Sequence, residues 1–194
     1  MIYVIRHGET DLNKIDIMQG GGTNPPLNKL GHKQAKNRGE KLQNLGIKKI
    51  YSSDLVRTRQ TTAEINKFLN LPVEYNELLR ETHYGIMEGK PGSIINADPK
   101  LRAICDAIDN GNDDAHFENG ESRNMSAKRF LDFIKTIDNK EETILIVSHG
   151  GILRNYLKVF GKFDVKIANC CGASFDLDKN LYPINISLIG KPRE

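Results

Sequence analysis

Two short apolar runs in this chain end in the same abrupt way. Residues 2–5 are "IYVI" and are followed by "RHG", and residues 143–147 are "TILIV" and are followed by "SHGG". A short apolar run bounded by turn residues is typical of a buried strand. Each strand therefore delivers a histidine and a flexible glycine at its carboxyl end, which indicates a site rather than simple packing.

Apolar positions at helical spacing predict several helices between and after these strands. Further extended segments are predicted over 47–53 and 71–79, and two last strands are joined by a polar turn at 178–180. Cap-type residues bound the helices. The predicted N-caps are Asn28, Ser53, Asp98 and Ser122, and the predicted C-terminal glycine of the first helix is Gly46.

The alternation of strands and helices favours an α/β fold, a three-layer αβα arrangement with a mainly parallel central sheet. Such sheets bind ligands at the carboxyl edge of their strands. We therefore expect His7 and His149 to face one crevice. Residues 1–194 are predicted to form a single domain, and residues 85–120, rich in glycine and proline, to form a small lid-like insertion within it.

Composition narrows the class of protein. The chain has 194 residues, 38% of them hydrophobic and 27% charged, which suits one folded domain. The net charge of +3 argues against a dedicated nucleic-acid binder. No apolar stretch approaches the roughly 20 residues of a membrane span, and the first apolar run is too short for a signal peptide, so we predict a cytoplasmic protein. Cys105, Cys170 and Cys171 form no metal or redox pattern and are expected to be reduced.

The polar residues at the strand ends suit phosphoryl transfer. A neutral imidazole can act as the nucleophile, and arginine forks match the phosphoryl oxygens. Arg6 adjoins His7, and a second arginine near the start of the next helix is either Arg57 or Arg59, which position alone does not distinguish. Glu81 follows the third extended segment and could supply the proton of the leaving group.

Five sequence blocks, taken together, resemble the histidine phosphatase superfamily, the phosphoglycerate mutase-like group. In chain order they are "RHGET" followed by Asn13, "SSDLVRTRQT", "LLRETHYG", "GES" and "VSHGGILR". The resemblance covers nearly the whole chain and implies the phosphoglycerate mutase-like αβα fold. The tripeptide RHG is a weak signal alone, but the blocks in this order and spacing are specific.

The resemblance also implies a role for each matching position. His7 would be the phosphorylated nucleophile, and Glu81 the general acid that later activates water. Arg6, Arg57 and His149 would bind the phosphoryl group and stabilise its transition state. The further substrate contacts implied are Asn13, Gln19 at the pocket mouth and the backbone N–H of Gly150. The family needs neither metal nor organic cofactor for hydrolysis.

Three functions compete on this evidence. The first is a phosphoric monoester hydrolase that acts on a small phosphorylated metabolite through phospho-His7. The second is a 2,3-bisphosphoglycerate-dependent phosphoglycerate mutase, which the short chain disfavours because family mutases are longer. The third is a catalytically silent phosphate-binding module, which would be expected to lose His7 or Glu81. The physiological substrate, a homodimeric state and the role of His83 stay open.

Overall fold

The computed structural model describes residues 1–191 and contains one six-stranded sheet. The strands are β1 Ile2–Arg6, β2 Lys49–Ser52, β3 Val73–Tyr75, β4 Ile144–Ser148, β5 Gly172–Leu177 and β6 Pro183–Ile189. Their spatial order is β3-β2-β4-β1-β5-β6. The first four in this order are parallel, and β5 and β6 continue the sheet in antiparallel fashion. The predicted mainly parallel sheet is confirmed.

Helices cover both faces of the sheet. They are α1 Asp11–Lys14, α2 Lys29–Leu42, α3 Val56–Leu69, α4 Ile94–Ala97, α5 Pro99–Asp109, α6 Arg123–Lys135 and α7 Gly150–Gly161. Two single 3-10 turns lie at Glu77–Leu79 and Gly85–Met87. Helices α2 and α3 pack against each other, as do α6 and α7. No helix within residues 1–191 is long and apolar enough to cross a membrane.

Strand β4 shows how the sequence pattern produces three layers. All five of its residues are buried, as expected for a parallel strand with both faces covered. Ile144 and Ile146 point into the core under α6 and α7, while Leu145 and Val147 point into the core under α2 and α3. Because successive side chains of a strand alternate between faces, one continuous apolar run supplies both cores.

Three of the four predicted N-caps are confirmed. The side chains of Asn28, Asp98 and Ser122 accept hydrogen bonds from backbone N–H groups in the first turns of α2, α5 and α6. The prediction for Ser53 is wrong, because α3 begins at Val56 without a side-chain cap. The Ser53 hydroxyl instead lies 2.9 Å from Nε2 of His149.

The predicted end of α2 is also wrong. The helix ends at Leu42, with Gln43 as its C-cap in a right-handed conformation. A turn over residues 43–45 follows, and Gly46 comes after it with φ +69°. The glycine therefore supplies the left-handed backbone conformation, but for the turn that leads to β2 rather than for the helix terminus.

The segment 85–120 contains α4 and α5 and has a small apolar core of its own. Met87, Leu101 and Phe117 are buried together, and Met18 from the N-terminal loop packs against them. Backbone hydrogen bonds join Met18 to Lys90 and to Gly89 at 2.9 Å each. The segment thus lies against the loop after β1, and its action as a lid stays a prediction.

Candidate active site

The sheet register brings the two histidine blocks together. Arg6, the last residue of β1, lies opposite Ser148, the last residue of β4. The backbone N–H of His7 donates to the Ser148 carbonyl at 3.0 Å. The imidazole rings of His7 and His149 pack edge to face with centroids 5.2 Å apart. The expectation that both histidines reach one place at the carboxyl edge of the sheet is confirmed.

The hydrogen bonds of His7 define its tautomer. Nδ1 lies 2.7 Å from the Gly8 carbonyl oxygen. A carbonyl can only accept, so Nδ1 carries the proton and donates it to this bond. The lone pair of the neutral ring then lies on Nε2, which is the atom that can attack phosphorus.

Burial and neighbouring cations keep His7 neutral. Its side chain is only 3% exposed. Desolvation lowers the pKa of His7 well below its usual value, and the positive charges of Arg57 and Arg6 lower this pKa further. The pKa of His149 is lowered in the same way, by burial first and by Arg57 next. Both imidazoles are therefore neutral at physiological pH.

Arg57, rather than Arg59, is the arginine that reaches the histidines. Arg57 is 0% exposed, and its Nε donates to Nδ1 of His149 at 3.2 Å. Burial lowers the pKa of Arg57 to about 10, which still leaves it cationic at neutral pH. Arg59 lies outside the site, with its guanidinium carbon 3.9 Å from the centroid of the Tyr75 ring.

The bonds of Arg57 also orient His149. Because the guanidinium can only donate, Nδ1 of His149 is the acceptor and Nε2 carries the proton. Nε2 then donates to the Ser53 hydroxyl at 2.9 Å. The remaining guanidinium nitrogens of Arg57 donate to the carbonyls of Thr23 at 2.6 Å and Gly20 at 3.1 Å. The loop after β1 is therefore fastened to the same arginine.

Glu81 is held at the N-terminus of α7. One carboxylate oxygen accepts from the backbone N–H groups of Thr82 at 2.8 Å and Ile152 at 2.7 Å. The other oxygen accepts from the Gly151 N–H at 2.9 Å. These three bonds fix the carboxyl group beside the cavity with little freedom to rotate.

These groups surround a cavity of about 430 Å³. Six of the eight residues predicted for the site line it, namely Arg6, His7, Asn13, Gln19, Glu81 and Gly150. The other two, Arg57 and His149, are fully buried and are not among its lining residues within the described chain, so their contact with a phosphoryl group stays a prediction. Arg6 adjoins the cavity while its Nη1 donates to the Ile167 carbonyl at 2.7 Å.

Asn13 and Gln19 are both fixed through Thr10, the N-cap of α1. The Asn13 side-chain oxygen accepts from the Thr10 N–H at 3.1 Å. The Gln19 side-chain oxygen accepts from the Thr10 hydroxyl at 2.9 Å. Nε2 of Gln19 is buried and has no hydrogen-bond partner within the described residues. An unsatisfied buried N–H group next to a cavity favours an acceptor ligand there.

Several residues at the site were not predicted from the sequence. Tyr84, Arg154 and Lys166 line the cavity, and Thr10 and Ser53 orient residues of the site. Arg154 carried a detectable signal, because it lies one helical turn after Gly150 in the same block. Lys166 lies in an irregular segment between α7 and β5, so no periodicity marks it. Burial raises the pKa of the Tyr84 hydroxyl, which stays protonated.

The acidic, histidine and cysteine side chains of the described residues do not cluster as metal ligands. Within residues 1–191 no group of three or more histidine, cysteine, aspartate or glutamate side chains is arranged to hold a metal ion. The cations beside the cavity are the side chains of Arg6, Arg154 and Lys166. All three cysteines are free thiols.

The sequence is similar to a known family of proteins and to curated members of it. The family model of the histidine phosphatase superfamily (branch 1) matches residues 2–176. Fructose-2,6-bisphosphatase TIGAR from Mus musculus is 41% identical over 140 residues, which are 68% of this chain and 49% of that protein. The chain thus spans about half the length of this curated relative.

Solved structures match over nearly the whole chain. YhfR from Bacillus stearothermophilus has 26% identity and a TM-score of 0.83, with 95% of each chain covered. A mycobacterial glucosyl-3-phosphoglycerate phosphatase, solved as a complex with VO3, has 25% identity and a TM-score of 0.82, with 96% of each chain covered. The predicted phosphoglycerate mutase-like fold is confirmed.

Proposed function

The chain belongs to the histidine phosphatase superfamily, and on this basis we propose that it hydrolyses the phosphomonoester of a small metabolite through a phosphohistidine on His7. The observation that carries the proposal is the state of His7. Its ring is buried and neutral, its Nδ1 proton is engaged by Gly8, and its Nε2 lone pair is available beside a cavity lined by cations.

In the first step, Nε2 of His7 attacks phosphorus and the bond from phosphorus to the ester oxygen breaks. Glu81 in its acid form gives its proton to that oxygen, and the alcohol leaves. The phosphorylated imidazole carries positive charge, which the Nδ1–H bond to the Gly8 carbonyl stabilises. Glu81, now a carboxylate, is held for its second role by the N–H groups at the start of α7.

In the second step, water attacks phosphorus, and the Glu81 carboxylate takes a proton from that water as the bond from phosphorus to Nε2 breaks. Both transition states spread negative charge over the equatorial phosphoryl oxygens. Arg6, the Asn13 amide and the Gly150 N–H are the donors we assign to those oxygens at the cavity surface. Arg57 supplies positive charge near His7, and His149, which Arg57 orients, packs against the His7 ring.

The relatives support a small phosphorylated substrate. One is named a fructose-2,6-bisphosphatase and another a glucosyl-3-phosphoglycerate phosphatase, and both names describe phosphatases of small sugar or acid phosphates. A cavity of about 430 Å³ has room for such a molecule. The cytoplasmic location and a homodimeric state stay predictions.

The proposal is tested by phosphate release from a panel of phosphomonoesters, in buffer with EDTA, for the wild type and for His7→Ala. We expect release by the wild type alone, with rates that rank the esters. Equal release by His7→Ala would overturn the mechanism. No release from any ester, together with 2,3-bisphosphoglycerate-stimulated mutase turnover, would replace the hydrolase with the mutase. Phosphate binding without either activity would indicate the silent binding module.

A further inference from the structure

Asn169 contacts the proposed nucleophile from the segment that precedes β5. It is half-buried and lines a separate shallow cleft with Arg38 and Cys170. Within the described chain it is not among the residues that line the main cavity. Whatever Asn169 contributes to the reaction, it therefore acts through other residues rather than by touching substrate.

Its side-chain amide makes two hydrogen bonds to the proposed site. Nδ2 of Asn169 donates to the His7 carbonyl at 3.1 Å and to the Asn13 side-chain oxygen at 3.2 Å. An amide nitrogen carries two protons, so both bonds can form at once. One side chain thus joins the backbone of the nucleophile to the side chain of a proposed phosphoryl ligand.

The bond from Asn169 to the His7 carbonyl is one of two hydrogen bonds that this carbonyl accepts just after the end of β1. The N–H of the next residue, Cys170, donates to the Arg6 carbonyl at 3.1 Å and to the His7 carbonyl at 3.2 Å. The His7 carbonyl therefore receives two donors from adjacent residues. These two hydrogen bonds hold the backbone of His7 where the chain leaves the sheet.

The bond to Asn13 determines which end of its amide faces the cavity. The Asn13 oxygen accepts from the Thr10 N–H and from Asn169, and both of these groups are donors. With its oxygen engaged on both sides, Asn13 keeps its amide nitrogen for the cavity that it lines. A flipped amide would set donor against donor at both contacts.

We propose that Asn169 is a positioning residue for the phosphatase reaction, one that holds the His7 backbone and directs the Asn13 amide nitrogen at the phosphoryl group. This inference rests on the proposed function, since it assigns the reaction to His7 and phosphoryl binding to Asn13. It gives Asn169 a role in catalysis without contact with substrate.

The test compares Asn169→Ala with a matched control, Asn66→Ala. Asn66 is also half-buried and also makes two hydrogen bonds, to the backbone of Leu71 near the far end of α3. Each variant loses two side-chain hydrogen bonds. The measured quantities are the dissociation constant for orthovanadate, by calorimetry, and kcat and KM for the best ester of the panel.

We expect Asn169→Ala to weaken orthovanadate binding about tenfold and to lower kcat more than it raises KM, because the transition state gains most from aligned donors. Asn66→Ala is expected to match the wild type. In an Asn13→Ala background, Asn169→Ala is expected to weaken orthovanadate binding less, because part of its effect depends on the Asn13 amide. Unchanged binding and kcat in Asn169→Ala, or equal losses in Asn66→Ala, would overturn the proposal.

These measurements distinguish failure of the proposed phosphatase function from failure of the positioning role of Asn169. If the wild type releases no phosphate but Asn169→Ala still weakens orthovanadate binding, the positioning role stands and the phosphatase assignment falls. If Asn169→Ala does not fold, NMR of the wild type replaces it. Slow exchange of the Asn169 side-chain amide protons, slowed further by orthovanadate, supports the proposal, and fast exchange in both states contradicts it.

Discussion

Nε of Arg57 donates a hydrogen bond of 3.2 Å to Nδ1 of His149. This contact joins the helix that follows β2 to the histidine that follows β4. It fixes the tautomer of His149 and places a cation near both imidazoles, which contributes to the lowered pKa of each. The state of the proposed nucleophile thus depends on a residue 50 positions away in sequence.

Replacement of Arg57 by lysine tests this arrangement. Lysine keeps a positive charge but cannot donate to His149, Thr23 and Gly20 through a planar fork. We expect kcat to fall roughly a hundredfold, in line with the loss of a preorganised donor. The measurement is steady-state kinetics on the best ester.

Arg59→Lys is the matched control for this change. Arg59 lies two residues further along the same helix, and its side chain packs on Tyr75 outside the site. Its replacement is expected to leave kcat within about twofold, as for most exposed positions. Equal losses of kcat for Arg57→Lys and Arg59→Lys would contradict a specific role for Arg57 at the site.

Glu81→Gln is expected to separate good leaving groups from poor ones. An alkyl phosphate needs a proton on its leaving oxygen, whereas p-nitrophenyl phosphate needs little help. We therefore expect kcat to fall far more for the alkyl ester, by roughly a hundredfold or more. The second step also uses Glu81, so some loss on both substrates is expected, and equal losses would contradict the acid role.

The same substitution has a cost for folding that must be measured. The Glu81 oxygens accept three backbone N–H bonds, so the amide of glutamine would set its NH₂ against a donor. We expect a loss of about 1–3 kcal/mol in the free energy of unfolding. Thermal melts of the variant check that the kinetics are recorded on folded protein.

Gly151 is expected to tolerate no side chain. A Cβ there would lie 2.2 Å from the Tyr84 hydroxyl and 2.7 Å from a Glu81 carboxylate oxygen. We therefore expect Gly151→Ala to displace Glu81 and to lower kcat for alkyl esters at least roughly tenfold, since misplacement of a catalytic group by about 1 Å is costly. Gly111→Ala is a control away from the site: its Cβ would meet nothing within 4 Å, but φ is +91°, so we expect lower stability with unchanged kcat. Normal kinetics in Gly151→Ala would show that the acid can move without loss.

The stability of the protein is expected to fall in mild acid. Burial lowers the folded-state pKa of His7 and His149 below 6.5, so the unfolded chain binds protons that the folded chain does not. The contribution of these two groups to the free energy of unfolding is therefore full well above pH 6.5 and decreases below it, by up to about 1.4 kcal/mol per pH unit for each imidazole.

Urea denaturation at pH 7.5 and pH 5.5 measures this dependence. His7→Asn removes one of the two groups, so its loss between these pH values is expected to be smaller than that of the wild type. A wild type that is equally stable at both pH values would contradict the buried neutral state of the two imidazoles.

The strand and helix pattern predicted the framework of the site because the pattern reflects burial. A continuous apolar run such as β4 needs two covered faces, and the histidine at its end must then emerge at the sheet edge. The meeting of His7 and His149 follows from this topology. The choice of Arg57 over Arg59 depends on which face of α3 is buried, and only the structure distinguishes them.

The residues that sequence reasoning missed act through single tertiary contacts. Ser53 has the chemistry of an N-cap, but its hydroxyl meets His149 across the sheet edge. Asn169 precedes β5 in a segment with no periodic pattern, and its two bonds to His7 and Asn13 span more than 150 positions of sequence. Local composition does not encode such partners, because they depend on how the strands are ordered in the sheet.

The most direct test of the account is to trap the covalent intermediate. The enzyme is mixed with its best ester in the presence of EDTA, quenched within the first turnover in alkali, which preserves the phosphorus–nitrogen bond, and digested for mass spectrometry. We expect one phosphoryl group on the peptide that contains His7, lost after acid treatment and absent in His7→Ala. Turnover by the wild type with no phosphorylated His7 at any quench time, or with the phosphoryl group on another residue, would contradict the account.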